Sequence, residues 1–159
     1  MSSKTLCRFV RFAALSTALC ALIILLYILP SWGMTIVRVN PEQAGWYYPW
    51  LLFIWATSLP CFAILVLVWI VSGAIKREDV FTYATARYIR ISAILLFCDM
   101  GFFFAGNVVF SILKMNHPGI LLLSLIIIIF AISLGLLASV LARYITKAAV
   151  LQEESDGTI

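Results

Sequence analysis

The sequence predicts an all-α integral membrane protein whose four transmembrane helices form an antiparallel bundle with both termini in the cytoplasm. Three observations predict it. The 159 residues are 64% hydrophobic and 11% charged, with a mean hydropathy of +1.10, whereas soluble domains carry roughly 25% charged residues. Four apolar runs reach the roughly 20 residues that a helix needs to cross a ~30 Å hydrocarbon core. Lys and Arg gather on alternate connections between those runs, as orientation in a bilayer requires. The length allows a single membrane domain.

Span one covers residues 9–29 and is expected to end at Pro30. Lys4, Arg8 and Arg11 give it a basic start like that of a signal peptide. However, the apolar stretch 12–29 exceeds the roughly 7–15 residues of a signal core, and no small-x-small cleavage site follows. In Ala18-Leu19-Cys20 a leucine stands where a lipoprotein site needs a small residue. The run therefore reads as a retained span.

Residues 31–49 read as an outer loop, broken by Asn40-Pro41 and Gly45. Trp32, Trp46, Tyr47, Tyr48 and Trp50 cluster there, as an interfacial aromatic belt does. A ligand site among the rings is the second reading. Span two covers residues 50–75, and its Pro60 removes the hydrogen bond to the Ala56 carbonyl, so a kink is expected.

Residues 76–88 form the predicted cytoplasmic loop. Thr82 is placed to cap the following helix, which sets Tyr83, Arg87 and Arg90 near one face. The arginine stems would snorkel along lipid. Span three covers residues 89–113. Met115-Asn116-His117-Pro118-Gly119 reads as a tight turn, so spans three and four form a hairpin. His117, the only histidine, reads as a polar turn residue. Span four covers residues 119–141 and carries Ala131, Gly135 and Ser139 at intervals of four, a stripe that admits another helix closely. That neighbour could belong to this chain or to another copy. The cytoplasmic tail, 142–159, is expected to fray over its acidic last nine residues.

Orientation follows from counting basic residues. Lys4, Arg8, Arg11, Lys76, Arg77, Arg87, Arg90, Arg143 and Lys147 fall on one side, and only Arg38 and Lys114 on the other, nine against two. The net charge of +4 thus sits at the ends of apolar runs. It reads as headgroup anchoring, with direct nucleic-acid binding excluded.

Cys7, Cys20, Cys61 and Cys98 form no C-x-x-C pair, and three of them lie inside apolar runs. A disulfide framework, a zinc site or a membrane thiol-exchange enzyme is therefore not expected; the cysteines read as small apolar residues. No catalytic triad, metal-ligand cluster or phosphate loop occurs, so the sequence implies neither an enzyme nor a cofactor. Gly101 and Gly106 flank three phenylalanines and an alanine and read as packing glycines.

Asp99 is the exception within the apolar bulk. It lies about 13 Å beyond Arg90 at 1.5 Å per helical residue. A carboxylate at such depth costs roughly 2.5–3.5 kcal/mol on insertion scales, so it should face the bundle interior or a wet cavity. Ser133 and Thr17 fall at similar depth and are the expected hydrogen-bond partners. Asp99 reads either as a proton or cation relay or as a buried polar contact that fixes packing. Asn107, two turns on, carries the same two readings.

Phe81-Thr82 ahead of a basic helix, and the ending Leu151-Gln-Glu-Glu-Ser-Asp-Gly-Thr-Ile159, resemble two stretches of a bacterial family of small four-span membrane proteins, domain of unknown function 2975. The four-span layout fits nearly the whole chain. Gly157 stands where that family's tail has leucine, and Thr85 where an acidic residue is frequent. The resemblance implies no established biochemical activity and a cytosolic helix-turn-helix regulator as partner.

The expected function is a non-enzymatic regulatory or partner-binding protein of the cell membrane. Its working face would comprise Phe81, Thr82, Arg87, Arg90, Glu153, Glu154 and Asp156, with Arg143 and Lys147 beside them. The alternative is a small ion-coupled transporter using Asp99, which calls for a homo-oligomer to enclose a pathway.

Overall fold

The computed structural model describes residues 2–77, 80–116 and 118–156. Every regular element among them is helical: α1 (Ser3–Ile23), a π turn (Ile24–Ile28), α2 (Leu29–Val39), a 3₁₀ turn (Pro41–Gln43), α3 (Ala44–Lys76), α4 (Tyr83–Ile112) and α5 (Pro118–Asp156). Four stretches are long and apolar enough to cross a membrane: Ser3–Val39, Pro41–Lys76, Tyr83–Ile112 and Pro118–Ser155. Phe12, Tyr27 and Ile112 are each more than 70% exposed. Large apolar side chains thus point outward while the buried set is small, the inverse of a soluble core and the pattern expected of a multi-pass membrane protein.

The first span does not stop at Pro30. In a regular helix Pro30 would clash with the Leu26 carbonyl. Here the preceding turn widens, and the Leu29 amide reaches back five residues to the Ile24 carbonyl. The widened turn carries the chain through proline into α2. The expected outer loop at 31–49 is consequently not a loop. It is the body of α2, a break at Asn40 and Pro41, and the first turn of α3. The aromatic residues placed there stand on helices.

Contacts between α1–α2 and α3 run along their lengths. Arg11 meets Ser72, Leu25 meets Trp55, and Pro30 meets Tyr47. Tyr47 also lies over Gly33, where an added Cβ would come within 2.6 Å of the ring. Pro49 and Pro60 both lie inside α3, which continues past them. In the turn before Pro60 the hydroxyls of Thr57 and Ser58 donate to the Ile54 and Trp55 carbonyls.

Helices α3 and α4 meet through aromatic rings. Phe53 is flanked by Phe102, Phe103 and Phe110 at centroid distances of 5.2–5.6 Å, and Trp50 stacks on Phe110. Gly106 makes this possible, because any Cβ there would overlap the Phe53 ring. Gly101, in contrast, is exposed with open space around it, so it is not a packing glycine in this chain.

The most extensive packing joins α4 and α5. Met100, Ile128 and Ala131 form its core, with Leu96 and Phe103 against them. Phe97 lies over Gly135, so the small-residue stripe of span four serves a neighbour within the chain. Between the two helices, Leu113, Lys114 and Met115 close α4 in a Schellman motif. The Lys114 amide bonds Ser111, the Met115 amide bonds Phe110, and Lys114 takes the left-handed φ of 56°. His117 lies outside the described residues.

The tail does not fray at Leu151. Helix α5 runs on to Asp156, and only 157–159 lie outside the described residues.

Candidate functional site

Where α4 begins and α5 ends, the two stretches singled out by sequence come together. The side chain of Thr82 caps α4 by accepting from the Thr85 amide. Its hydroxyl also donates to Thr85 Oγ at 3.0 Å. Thr85 is buried, and this hydroxyl pair occupies the place of the acidic half of a capping box. The cap fixes the direction in which the next residue leaves, and the Tyr83 hydroxyl reaches Glu153 Oε2 on α5 at 3.5 Å.

Around that contact lies an open cleft of about 370 Å³. Phe81, Thr82, Tyr83 and Ala84 line one wall; Ala149, Gln152 and Glu153 line the other. Phe81 is 56% exposed, an apolar ring standing free at the rim. Partial desolvation, and then the carboxylates of Glu153 and Glu154, raise the Tyr83 phenol above its ordinary value.

The candidate residues divide accordingly. Phe81, Thr82 and Glu153 share the cleft, and Tyr83, Gln152 and Ala149 join them. Arg87 and Arg90 are exposed, one and two turns further along α4, and do not line it. Glu154 is exposed beside Glu153. The side chain of Asp156 lies outside what the structure describes.

Asp99 is 3% exposed, in the middle of α4. The expected partners are wrong. Ser133 is exposed and donates back to the Ile129 carbonyl of its own helix, because a mid-helix serine satisfies itself most easily there. Instead the Cys61 thiol of α3 lies 3.6 Å from Asp99 Oδ2, and Oδ1 has no partner. Depths counted from charged residues misplaced the partner. Counted from helix ends, Cys61 lies as far from Lys76 as Asp99 lies from Tyr83, to within a residue.

Asn107 is 1% exposed and ties the hairpin. Its Nδ2 donates to the Phe103 carbonyl, and its Oδ1 accepts from Asn116 Nδ2 at 3.1 Å and Ser124 Oγ at 3.0 Å. Three polar side chains thus close on one another between two apolar helices, which gives Asn107 a complete structural role.

A further contact was not anticipated from sequence. The Arg11 guanidinium lies 4.9 Å over the Trp69 ring and donates through Nε to Ser72 Oγ at 2.9 Å. Ser72 is fully buried and bonds the Trp69 carbonyl. In sequence Arg11 is one of several basic residues at the start of the first span, and its separation of 61 residues from Ser72 leaves no local signal of the pairing.

No group of three or more His, Cys, Asp and Glu among the described residues could hold a metal ion. The family described as Protein of unknown function (DUF2975) matches residues 32–159. No curated protein and no solved structure matches the chain.

Proposed function

Because the chain belongs to the family described as Protein of unknown function (DUF2975), we propose on physical grounds that it is a non-enzymatic partner-binding protein of the cell membrane. Its docking site is the cleft between the start of α4 and the end of α5. One observation carries this reading: Phe81–Tyr83 and Glu153, distant in sequence, converge on one open cleft with the exposed Phe81 ring at its rim and the Glu153 carboxylate in its wall.

The cleft lies in the cytoplasm in this proposal, with both termini and an antiparallel arrangement of the four spans. The nine-to-two distribution of Lys and Arg supports that orientation. The contacts Arg11–Ser72, Pro30–Tyr47, Phe53–Phe110 and Asn107–Ser124 support the arrangement, since each pairs a residue early in one span with one late in the next, or the reverse. The partner is a cytosolic protein, and a small helix-turn-helix regulator is the class that the family resemblance suggests.

Purification of the full chain from its native host, followed by identification of co-purifying proteins, tests the reading. A stoichiometric cytosolic regulator that is lost when Glu153 and Tyr83 are both changed to alanine is the expected result. Retention of the regulator by that variant would overturn the cleft as its site.

A second reading rests on the unpartnered Asp99 Oδ1. A buried carboxyl with one oxygen unsatisfied is a candidate proton carrier, which makes ion-coupled transport by a homo-oligomer the alternative. Asp99→Asn should then abolish a pH-driven flux in proteoliposomes while the protein still folds; unchanged flux would end this reading.

A further inference from the structure

Helix α1 carries three basic residues, Lys4, Arg8 and Arg11, and the chain has no Asp or Glu before Glu42. Their charge is therefore uncompensated within their own span. Thr5, Arg8, Phe9 and Phe12 fall at helical spacing on one face of α1 and line an open groove of about 270 Å³. The groove has two chemistries in order along the helix. A hydroxyl and a guanidinium stand at one end, and two phenyl rings, 61% and 72% exposed, stand at the other.

Arg11 stands on the flank of this groove that turns toward α3. It is held there by Ser72 through Nε and by the Trp69 face, which fixes the plane of its guanidinium. A guanidinium has five N–H donors, so engagement of Nε leaves the Nη hydrogens for further acceptors, with Nη2 on the side of Gly73. Arg8 and Arg11 are one turn apart, so both can reach a single phosphate group. Exposed rings below them match an acyl chain.

We propose that this face of α1 is a binding site for an anionic phospholipid. The headgroup phosphate sits on Arg8 and Thr5, flanked by Arg11, and an acyl chain lies along Phe9 and Phe12. The commitment to lipid comes from the order of the two chemistries. A free phosphate ion would use the cationic end and leave the rings without a role, and a zwitterionic lipid would bring a further cation to a face that already holds three.

The test measures lipid retained by the full chain on native mass spectrometry after solubilisation from bilayers of equal phosphatidylglycerol and phosphatidylcholine. Wild type is expected to retain phosphatidylglycerol preferentially. Arg8→Gln should lower that preference about fivefold, the equivalent of one basic residue at an anionic surface. Arg143→Gln, an exposed basic residue on α5, should lower it less than twofold. Equal losses in the two variants would mean a diffuse basic rim and would overturn the site. Equal retention of both lipids, or displacement of the bound lipid by millimolar inorganic phosphate, would overturn it as well. Arg8 is exposed, so its replacement leaves packing intact, and Phe12→Ala provides a second variant that should weaken retention without touching charge.

Discussion

The indole Nε1 of Trp55 donates to the backbone carbonyl of Leu25 at 3.1 Å, across the boundary between the first and second spans. That carbonyl is left over by the local backbone. The Leu29 amide, its usual helical partner, bonds Ile24 instead. The π-register partner would be residue 30, a proline, which has no N–H to give. An unpaired carbonyl in hydrocarbon is costly, and Trp55 supplies the missing donor from the neighbouring helix.

Trp55→Phe should therefore destabilise the protein by about 1–3 kcal/mol, the range for leaving a buried acceptor unsatisfied. The same change in a Pro30→Ala background should cost less, because residue 30 then has an N–H. Thermal unfolding of the four proteins in one detergent gives the coupling; equal costs in both backgrounds would show that Trp55 acts only through its packing.

At Gly106 any side chain meets the Phe53 ring. Gly106→Ala should cost about 1–3 kcal/mol by overpacking. Phe53→Leu should recover part of the loss, and the comparison of denaturation midpoints for the single and double variants checks it.

Lys114 holds a left-handed backbone at the end of α4, a conformation that costs L residues about 1–2 kcal/mol. Lys114→Gly should raise stability by up to about 1 kcal/mol, offset in part by the greater freedom of glycine in the unfolded chain. A higher melting temperature is the expected observation, and a lower one would mean that the lysine side chain contributes more than the strain removes.

The Tyr83 phenol is raised by partial desolvation and by Glu153 and Glu154. A raised folded value means that its contribution is present below the ordinary phenol range and is lost as pH rises through the folded value. Ultraviolet titration should show one tyrosine ionising late, and Glu153→Gln should bring that transition down toward the ordinary value. No difference between the two titrations would indicate that the two side chains do not interact in solution.

The spans were legible because twenty apolar residues leave few other structures. The Thr82 cap and the hairpin connection expected at 115–119 were legible because their chemistry is local. Pro30 misled for a physical reason: proline forbids the α register but not a wider turn, and whether a donor such as Trp55 stands nearby is a tertiary fact. The cleft was half legible. Phe81, Thr82 and Glu153 were singled out, but Tyr83 as the link depends on α5 staying helical past Leu151. The partner of Asp99 is misplaced from sequence because Arg90 does not mark the start of its helix; α4 starts at Tyr83, well before Arg90.

The length of α4 has a mechanical consequence. Its 30 residues make a rod of about 45 Å, against a hydrocarbon slab of about 30 Å. With the Asn107 hairpin anchored at one surface, the Tyr83–Glu153 contact stands clear of the acyl chains at the other, in or beyond the headgroup layer. The proposed partner would meet water there, so salt or high pH should strip it from washed membranes while the protein itself stays embedded.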